Sequence, residues 1–400
     1  MDSSPEILVV AGEASGDAHA AGLVRALRAL RPDLSFFGMG GAQLAAAGVE
    51  RLYDAREISV MGITEVLPKL FRILGVMRGL ARAAAARRPA LAILVDIPDF
   101  NLRLARRLKA LGIPIAWYIS PMVWAWRPGR VKQIACDVDR MLCILPFEEP
   151  WYRARGVPAS FVGSPVLEQV PAPAEPAHFR RALGLDEARP VLAVLPGSRA
   201  SELRRLGPEL ARAAARIAAE RPGLQVVVPV APGVDRDALA QWFEAAGVHP
   251  VLVDGRAPEV VGASDVAVVA SGTATLEAGL MLRPLVVVYR VSALSGLVGR
   301  LLLKVKHVSL VNLLAGRALV PELLQREVRA ERIAAEVARL WSGPARDEVV
   351  AGLVRLREVL GESGASARAA AAVRELLDSG AAVSRKALPG VAASAMSRGP

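Results

Sequence analysis

Two aspartates three residues apart, Asp96 and Asp99, follow the strongly apolar run Leu91–Val95. A carboxylate at that depth needs a partner or a task, and partial desolvation makes it a stronger general base. Asp99 also suits the plainer role of N-cap to a helix starting near Leu102; Asp96 suits it less well. A second chemistry lies in Pro196-Gly197-Ser198-Arg199, behind another apolar run. An arginine there can fork onto phosphate oxygens while loop amides hold the same group, which fits a diphosphate leaving group. Ser271-Gly272-Thr273-Ala274-Thr275 adds hydroxyls and amides at a helix start, with Glu277 one turn in. A carboxylate so placed can accept from a ribose diol, or merely complement the helix dipole. Gly12-Glu13-Ala14-Ser15-Gly16-Asp17 offers close backbone approach and amides for an anion or a hydroxyl-rich ligand; a tight turn with no ligand reads the same way. It lacks the Gly-x-Gly-x-x-Gly dinucleotide pattern, and no Gly-Lys-Ser/Thr follows, so nicotinamide and P-loop readings are weak.

These loops need a common frame, and the chain repeats one. Ile7–Gly12, Leu91–Val95, Ile113–Ile119, Val191–Leu195 and Val266–Ala270 are apolar runs of strand length, each ending in a Gly-, Asp- or Ser-bearing loop. Further strands are expected at Leu34–Phe37, Met141–Leu145, Ser160–Val162, Gln225–Val230, Pro250–Val253 and Leu285–Tyr289, with helical patterns such as Ala18–Leu30 and Leu102–Leu111 between strands. Strands alternating with helices predict α/β architecture with parallel doubly wound sheets, whose ligands sit at the strands' carboxyl ends. The expected division is a first domain over 1–164, a proline-rich linker over 165–184 and a second domain over 185–344. Helices over 345–377 and a disordered tail over 378–400 complete it.

Composition narrows the function. Much of the 53% hydrophobic content is alanine, and no stretch reaches the roughly 20 apolar residues of a bilayer span. Uncharged Ala110–Trp126 comes nearest, but Pro114 and Pro121 interrupt it. MDSSPE has no basic n-region, so a cytoplasmic protein is expected. Cys136 and Cys143 have no histidine near them, and the four histidines are scattered, so no metal site is implied.

The net charge of +11 is concentrated. Gly62–Arg88 holds six basic residues and Glu65; Arg283–Arg317 holds six and no acid, and together the two segments equal the excess of the whole chain. Leu70, Phe71, Leu74, Met77 and Ala81 share a helical face, with Lys69, Arg72, Arg78 and Arg82 to the sides and back. Nucleic-acid sites carry stacking aromatics instead, so no nucleic acid is expected. Two readings stand on this segment alone: an interfacial amphipathic helix, or an ordinary one packed on a sheet.

With these residues assembled, the chain resembles the lipid-A-disaccharide synthases over roughly Ile7 to Leu377. The resemblance rests on VAGEASGD (10–17), VMGITEVLP (60–68), DIPDFNL (96–102), YISPMVWAWRPGR (118–130), LPFE (145–148), LPGSR (195–199), ASGTATLE (270–277) and VSLVNLLAGR (308–317). It implies the GT-B glycosyltransferase fold: two Rossmann-like domains facing across a cleft, with the C-terminal helix returning to the first. It also implies an inverting, metal- and cofactor-independent transfer from UDP-2,3-diacylglucosamine to 2,3-diacylglucosamine 1-phosphate (lipid X), in lipid A and lipopolysaccharide biosynthesis. Asp96 matches the family's suspected catalytic acid. Arg199, Ser271, Gly272, Thr273 and Glu277 match the UDP side, with Asn312 and Arg317 also near it. Gly12, Glu13, Ser15, Gly16 and Asp17 would face the sugars, with Asp99 beside them. The family often has a histidine after the strand at Ser160–Val162, whereas Gly163-Ser164-Pro165 stands here.

Substrates with two acyl chains each give the basic, apolar helix and the segment Arg290–Lys306 a reason to meet the anionic inner-membrane surface of a Gram-negative cell. A peripheral association is therefore expected, and an oligomer is compatible with it. Two rivals keep a claim on the same loops: a UDP-N-acetylglucosamine 2-epimerase, which would need neither lipid nor the basic helix, and a non-catalytic lipid- or nucleotide-binding protein, which would leave Asp96 without purpose.

Overall fold

The computed structural model describes residues 4–58, 63–125, 127–291 and 307–386. Val60–Gly62 of the second motif, Trp126, residues 292–306 of the second basic segment, and the tail from 387 lie outside the described residues.

Two parallel sheets organise the chain. The first contains β1 (Glu6–Ala11), β2 (Ser35–Gly40), β3 (Glu50–Asp54), β4 (Leu91–Val95), β5 (Ile115–Tyr118), β6 (Arg140–Cys143) and β7 (Ala159–Phe161), in the order β3-β2-β1-β4-β5-β6-β7. The second contains β8 (Val191–Leu195), β9 (Gln225–Val230), β10 (Val251–Asp254), β11 (Val266–Ala270), β12 (Leu285–Tyr289) and β13 (Glu322–Leu324), in the order β10-β9-β8-β11-β12-β13. In each sheet the strand order reverses at one place: between β1 and β4, and between β8 and β11. Crevices at such switch points are where open α/β sheets bind ligands.

Covered faces explain the uniform apolar strands. Every residue of β4, β8 and β11 is buried, the pattern expected of a parallel strand sandwiched between helices. Each fully buried Val, Leu or Ile contributes roughly 1.5–3 kcal/mol relative to exposure. The strands missed in the sequence, β3 and β13, lie at sheet edges; ERLYD carries charge and ELL is too short for a period to show.

The chain divides into two compact units. One comprises Met1–Pro121, Gly129–Val162 and the segment from Ala365; the other comprises Met122–Pro128 and Gly163–Gly364. The C-terminal helix Ala365–Lys386 places Ala369, Ala370 and Val373 in the first unit's core beside Ala20, Leu23, Val24 and Leu27 of the helix Ala14–Leu30. Arg368 fastens it by donating from Nε to the Val162 carbonyl at 2.8 Å. The expected helical stretch 345–377 is thus two helices, Pro344–Leu360 and Ala365–Lys386, and the second runs into residues expected to be disordered. The linker 165–184, whose stretch Pro165–Pro176 is expected to be too proline-rich for helix or strand, holds helices Val166–Gln169 and Pro176–Ala182. The second helix starts with its proline at the first helical position, where no N–H is needed, and it buries Phe179.

The basic helix Ile63–Arg87 buries a stripe that is offset from the apolar face read in the sequence. Val76, Met77, Leu80 and Ala84 are buried, Leu70 and Leu74 half-buried, and Phe71 is 86% exposed. Successive helical residues are about 100° apart, so a stripe centred on Met77 and Leu80 leaves Phe71 on the far side of the helix. Arg72, outside that stripe, pairs with Glu57 of the turn Ala55–Glu57.

Candidate active site

β1 and β4 run in register, Ala11 opposite Val95, so the loops that follow them start side by side. A side-chain carbon at Gly12 would lie 2.6 Å from Ile97 Cδ1 and 3.2 Å from Ile58 Cδ1, so only glycine admits those two side chains. At Gly16 such a carbon would lie 3.9 Å from Asp96 Cβ, which puts the two loops in near contact. The helix behind β1 begins at Ala14, with Glu13 at its N-cap and Ser15, Gly16 and Asp17 in its first turn. Its first amides have no acceptor within the helix and are available to an anion or hydroxyl.

Asp96 and Ile97 both adopt left-handed backbone, with φ of 50° and 37°. Non-glycine residues in that region cost roughly 1–3 kcal/mol each, and a β-branched residue such as Ile97 is an outlier. Such strain persists only where the surroundings impose it, and it gathers at functional sites. Asp96 is half-buried, and its amide donates to the Tyr118 carbonyl of β5 at 3.3 Å. Asp99, expected to line the site or cap the helix, lies in the first turn of the helix Pro98–Ala110 and forms an ion pair with Arg130.

Asp17 has a structural occupation. Its side chain is buried and accepts from the amides of Gly41 at 2.6 Å, Gln43 at 2.9 Å and Leu44 at 3.3 Å, capping the helix Ala42–Ala46. Gly41 makes room for this, since a side-chain carbon there would lie 2.6 Å from Asp17 Oδ2.

The second switch point is built from different parts. Arg199 is the N-cap of the helix Ala200–Glu220, and its Nη1 lies 3.1 Å from Glu202 Oε1. Gly197, at φ 104°, lets Glu202 come beneath the loop. After β11, the Ser271 amide donates to the Val288 carbonyl of β12 at 2.9 Å, and buried Thr275 turns its hydroxyl onto the Gly272 carbonyl at 2.8 Å. Gly272 is exposed, with open space where a side chain would stand, and the half-buried Thr273 begins the helix Thr273–Leu280. Burial pushes the Glu277 carboxyl above the ordinary carboxylate value. Tyr289, at the end of β12, is raised by burial and feels the charges of Glu202 and Arg199, which ties the loops after β8 and β12 to one neighbourhood.

Asn312 and Arg317 keep other company. Asn312 is buried; its Nδ2 donates to the Val320 carbonyl and Glu322 Oε1, both at 2.9 Å, and its Oδ1 accepts from the amides of Leu319 and Val320. That amide is spent on the segment leading into β13. Arg317 pairs with Glu348 at 2.6 Å. Two residues before Glu348 on the same helix, Arg346 donates to the Asp265 carbonyl just ahead of β11, so this helix start lies toward the amino edge of the sheet. Sequence reading also missed Asn101, which is buried and hydrogen-bonded to the Asp96 turn, and Glu202; the signal for both was a polar residue within one turn of a strand-to-helix loop.

Among the described residues, no helix is long and apolar enough to cross a membrane, and no group of three His, Cys, Asp or Glu side chains could hold a metal ion.

A sequence model of the lipid-A-disaccharide synthetase family matches residues 7–375. The chain belongs to that family. It is 66% identical to the lipid-A-disaccharide synthase of Myxococcus xanthus (strain DK1622), over 95% of this chain and 100% of that one. Membership in the lipid-A-disaccharide synthetase family makes the chain a glycosyltransferase of lipid A disaccharide synthesis and removes the epimerase and non-catalytic readings. Solved structures show the fold alone. The Neisseria meningitidis UDP-GlcNAc 2-epimerase bound to UDP-GlcNAc superposes with a TM-score of 0.61 at 11% identity, covering 94% of this chain and 100% of that one. The calicheamicin glycosyltransferase CalG4 gives 0.60 at 19%, covering 94% and 99%. Two Rossmann-like sheets of the GT-B type are therefore common to enzymes of different activity, and the family assignment rests on the sequence.

Proposed function

We propose that this glycosyltransferase moves the diacylglucosaminyl group of UDP-2,3-diacylglucosamine onto the 6-hydroxyl of 2,3-diacylglucosamine 1-phosphate (lipid X). The products are the β-1',6-linked disaccharide 1-phosphate and UDP. The observation that carries the reading is the strained left-handed turn Asp96-Ile97 at the β1–β4 switch point, against the Gly12–Asp17 loop. Asp96 accepts the proton of the acceptor hydroxyl as that oxygen bonds to C1 from the face opposite the diphosphate. The C1–O bond to UDP breaks with its electron pair, so configuration inverts. Arg199, the Gly272 and Thr273 amides and the Ser271 hydroxyl are suited to the charge growing on the departing diphosphate. Glu277 is suited to the ribose diol. Glu13, Ser15 and the first amides of the helix Ala14–Leu30 supply polar groups for the sugars, while Asp17 holds that loop in shape.

The exposed Phe71 of the basic helix, flanked by Arg72 and Arg78, supports docking on an anionic membrane surface where both lipid substrates reside. The enzyme works in this reading as a peripheral protein on the cytoplasmic face of the inner membrane.

The test is Asp96→Asn assayed for turnover in detergent micelles and, in parallel, for UDP binding by calorimetry. Turnover is expected to fall by about 10³-fold, within the range for loss of a general base, with UDP affinity little changed. Near-normal turnover would remove Asp96 from the role.

A further inference from the structure

We infer that Asn101 is a positioning residue of this site: its side-chain amide locks the left-handed turn that fixes where the Asp96 carboxylate stands. The inference rests on the reading of Asp96 as the base.

Asn101 is fully buried, in the first turn of the helix Pro98–Ala110. Its Nδ2 donates to the Asp96 carbonyl at 2.9 Å and to the Val95 carbonyl at 3.2 Å. One amide group therefore grips the last residue of β4 and the first residue of the turn. The backbone closes the other side: the amides of Phe100 and Asn101 donate to the Ile97 carbonyl at 3.2 and 3.0 Å, and the Asp96 amide reaches across to β5. Asp96 and Ile97, the two left-handed residues, are clamped from both ends.

The amide can take only one orientation, because the flipped one would set Oδ1 against two carbonyl oxygens. In that orientation Oδ1 is buried and accepts no hydrogen bond among the described residues. Leaving a buried acceptor unmet is unfavourable, so the residue is poorly explained as a stability device. It is well explained as a clamp, since no apolar side chain of that size could hold the two carbonyls. Gly12 completes the arrangement, leaving space for the Ile97 side chain that the turn pushes toward β1.

A base must be held within a fraction of an ångström, and a displacement of about 1 Å can cost on the order of 100-fold in rate. Asn101→Leu, of similar size but with no donor, is expected to lower kcat by roughly 30-fold with both KM values within about twofold of wild type, on that scale. Thermal unfolding checks that the variant folds. Asn101→Ser, smaller and still a donor, is read if the leucine variant does not, and is expected to keep more turnover than Asn101→Ala. The deciding readout is the double variant Asp96→Asn/Asn101→Leu. Residues acting as one unit are non-additive, so its turnover is expected to match that of Asp96→Asn alone within about twofold. A further 30-fold loss in the double variant would mean that Asn101 acts independently of Asp96, and would overturn the inference. So would a folded Asn101→Leu with wild-type kcat beside an inactive Asp96→Asn, which would leave the base reading intact. Near-normal turnover in Asp96→Asn would instead remove the base reading, and this inference with it.

Discussion

The two switch points solve different problems with the same topology. After β4 the chain enters two consecutive non-glycine left-handed residues, pinned by a buried amide and by the neighbouring strand. After β8 and β11, among the described residues, the loops carry no such strain; Gly197 takes the left-handed φ, and Gly272, at an extended φ of 160°, stands in open space. The first loop set is rich in carboxylates, Glu13, Asp17, Asp96 and Asp99, whereas the second carries Arg199, hydroxyls and exposed amides. A group that must meet one reacting proton is over-determined; a cradle for a diphosphate needs open amides and a cation. The difference matches the division of labour proposed above, with proton chemistry at the first sheet edge and the leaving group at the second.

Arg199→Ala tests the second edge most severely. It is expected to lower kcat/KM by about 10²-fold, the scale for losing one preorganised donor to a developing anion, with weaker UDP binding by calorimetry. Unchanged UDP affinity would erase the contrast between the edges.

A matched glycine pair comes next. Gly12→Ala must push Ile97 aside and is expected to cost about 1–3 kcal/mol of stability by overpacking, visible as a lower Tm, with turnover down roughly tenfold as the base moves. Gly272→Ala has room for its methyl and is expected to keep the wild-type Tm while weakening UDP binding by a few fold. Equal Tm losses would contradict the geometry of both loops.

On the basic helix, under the proposed membrane docking, Phe71→Ser is expected to weaken binding to anionic vesicles by about fivefold, since an exposed aromatic supplies apolar area to a lipid interface. The remaining binding should fall further with salt, as screening of arginine charges requires. Undiminished retention on neutral vesicles at high salt would count against the electrostatic part.

The smallest effect concerns pH. Burial raises the Glu277 pKa in the folded state, so the native protein holds this proton more tightly than the unfolded chain. Folding stability contributed by the protonated form is therefore present below the unfolded value and is lost as pH rises through the folded value. In the proposed role of Glu277 the ionised carboxylate accepts from the ribose diol, so UDP affinity should decline as pH falls through that same raised value. Glu277→Gln is expected to flatten this acid limb; an unchanged profile would assign the limb to another group.

Much of this was legible in the sequence for physical reasons. The runs ILVVA, LAILV, VLAVL and VAVVA are buried on both faces of parallel sheets, so composition alone marked them as strands, nearly to the residue. β3 carries charge and β13 has only three residues, so neither shows that signature. Asp96 stood out because a charge ends a fully apolar strand. The occupation of Asp17 was hidden because its partners, Gly41 to Leu44, are supplied by a short helix after the next strand, a pairing no local pattern encodes. The hydrogen bonds of Asn312 likewise depend on where the chain returns to form β13. Phe71 shares an apolar helical face in the sequence, but periodicity fixes the angle between residues and not which sector meets the core, so its exposure was not legible there.

One measurement reaches the central claim most directly: purified protein in detergent micelles with UDP-2,3-diacylglucosamine and radiolabelled lipid X, lipid products separated by chromatography, and UDP release followed in the same samples. The account predicts a labelled disaccharide phosphate appearing in step with UDP. Folded, UDP-binding protein that forms no labelled disaccharide from these two substrates would contradict it.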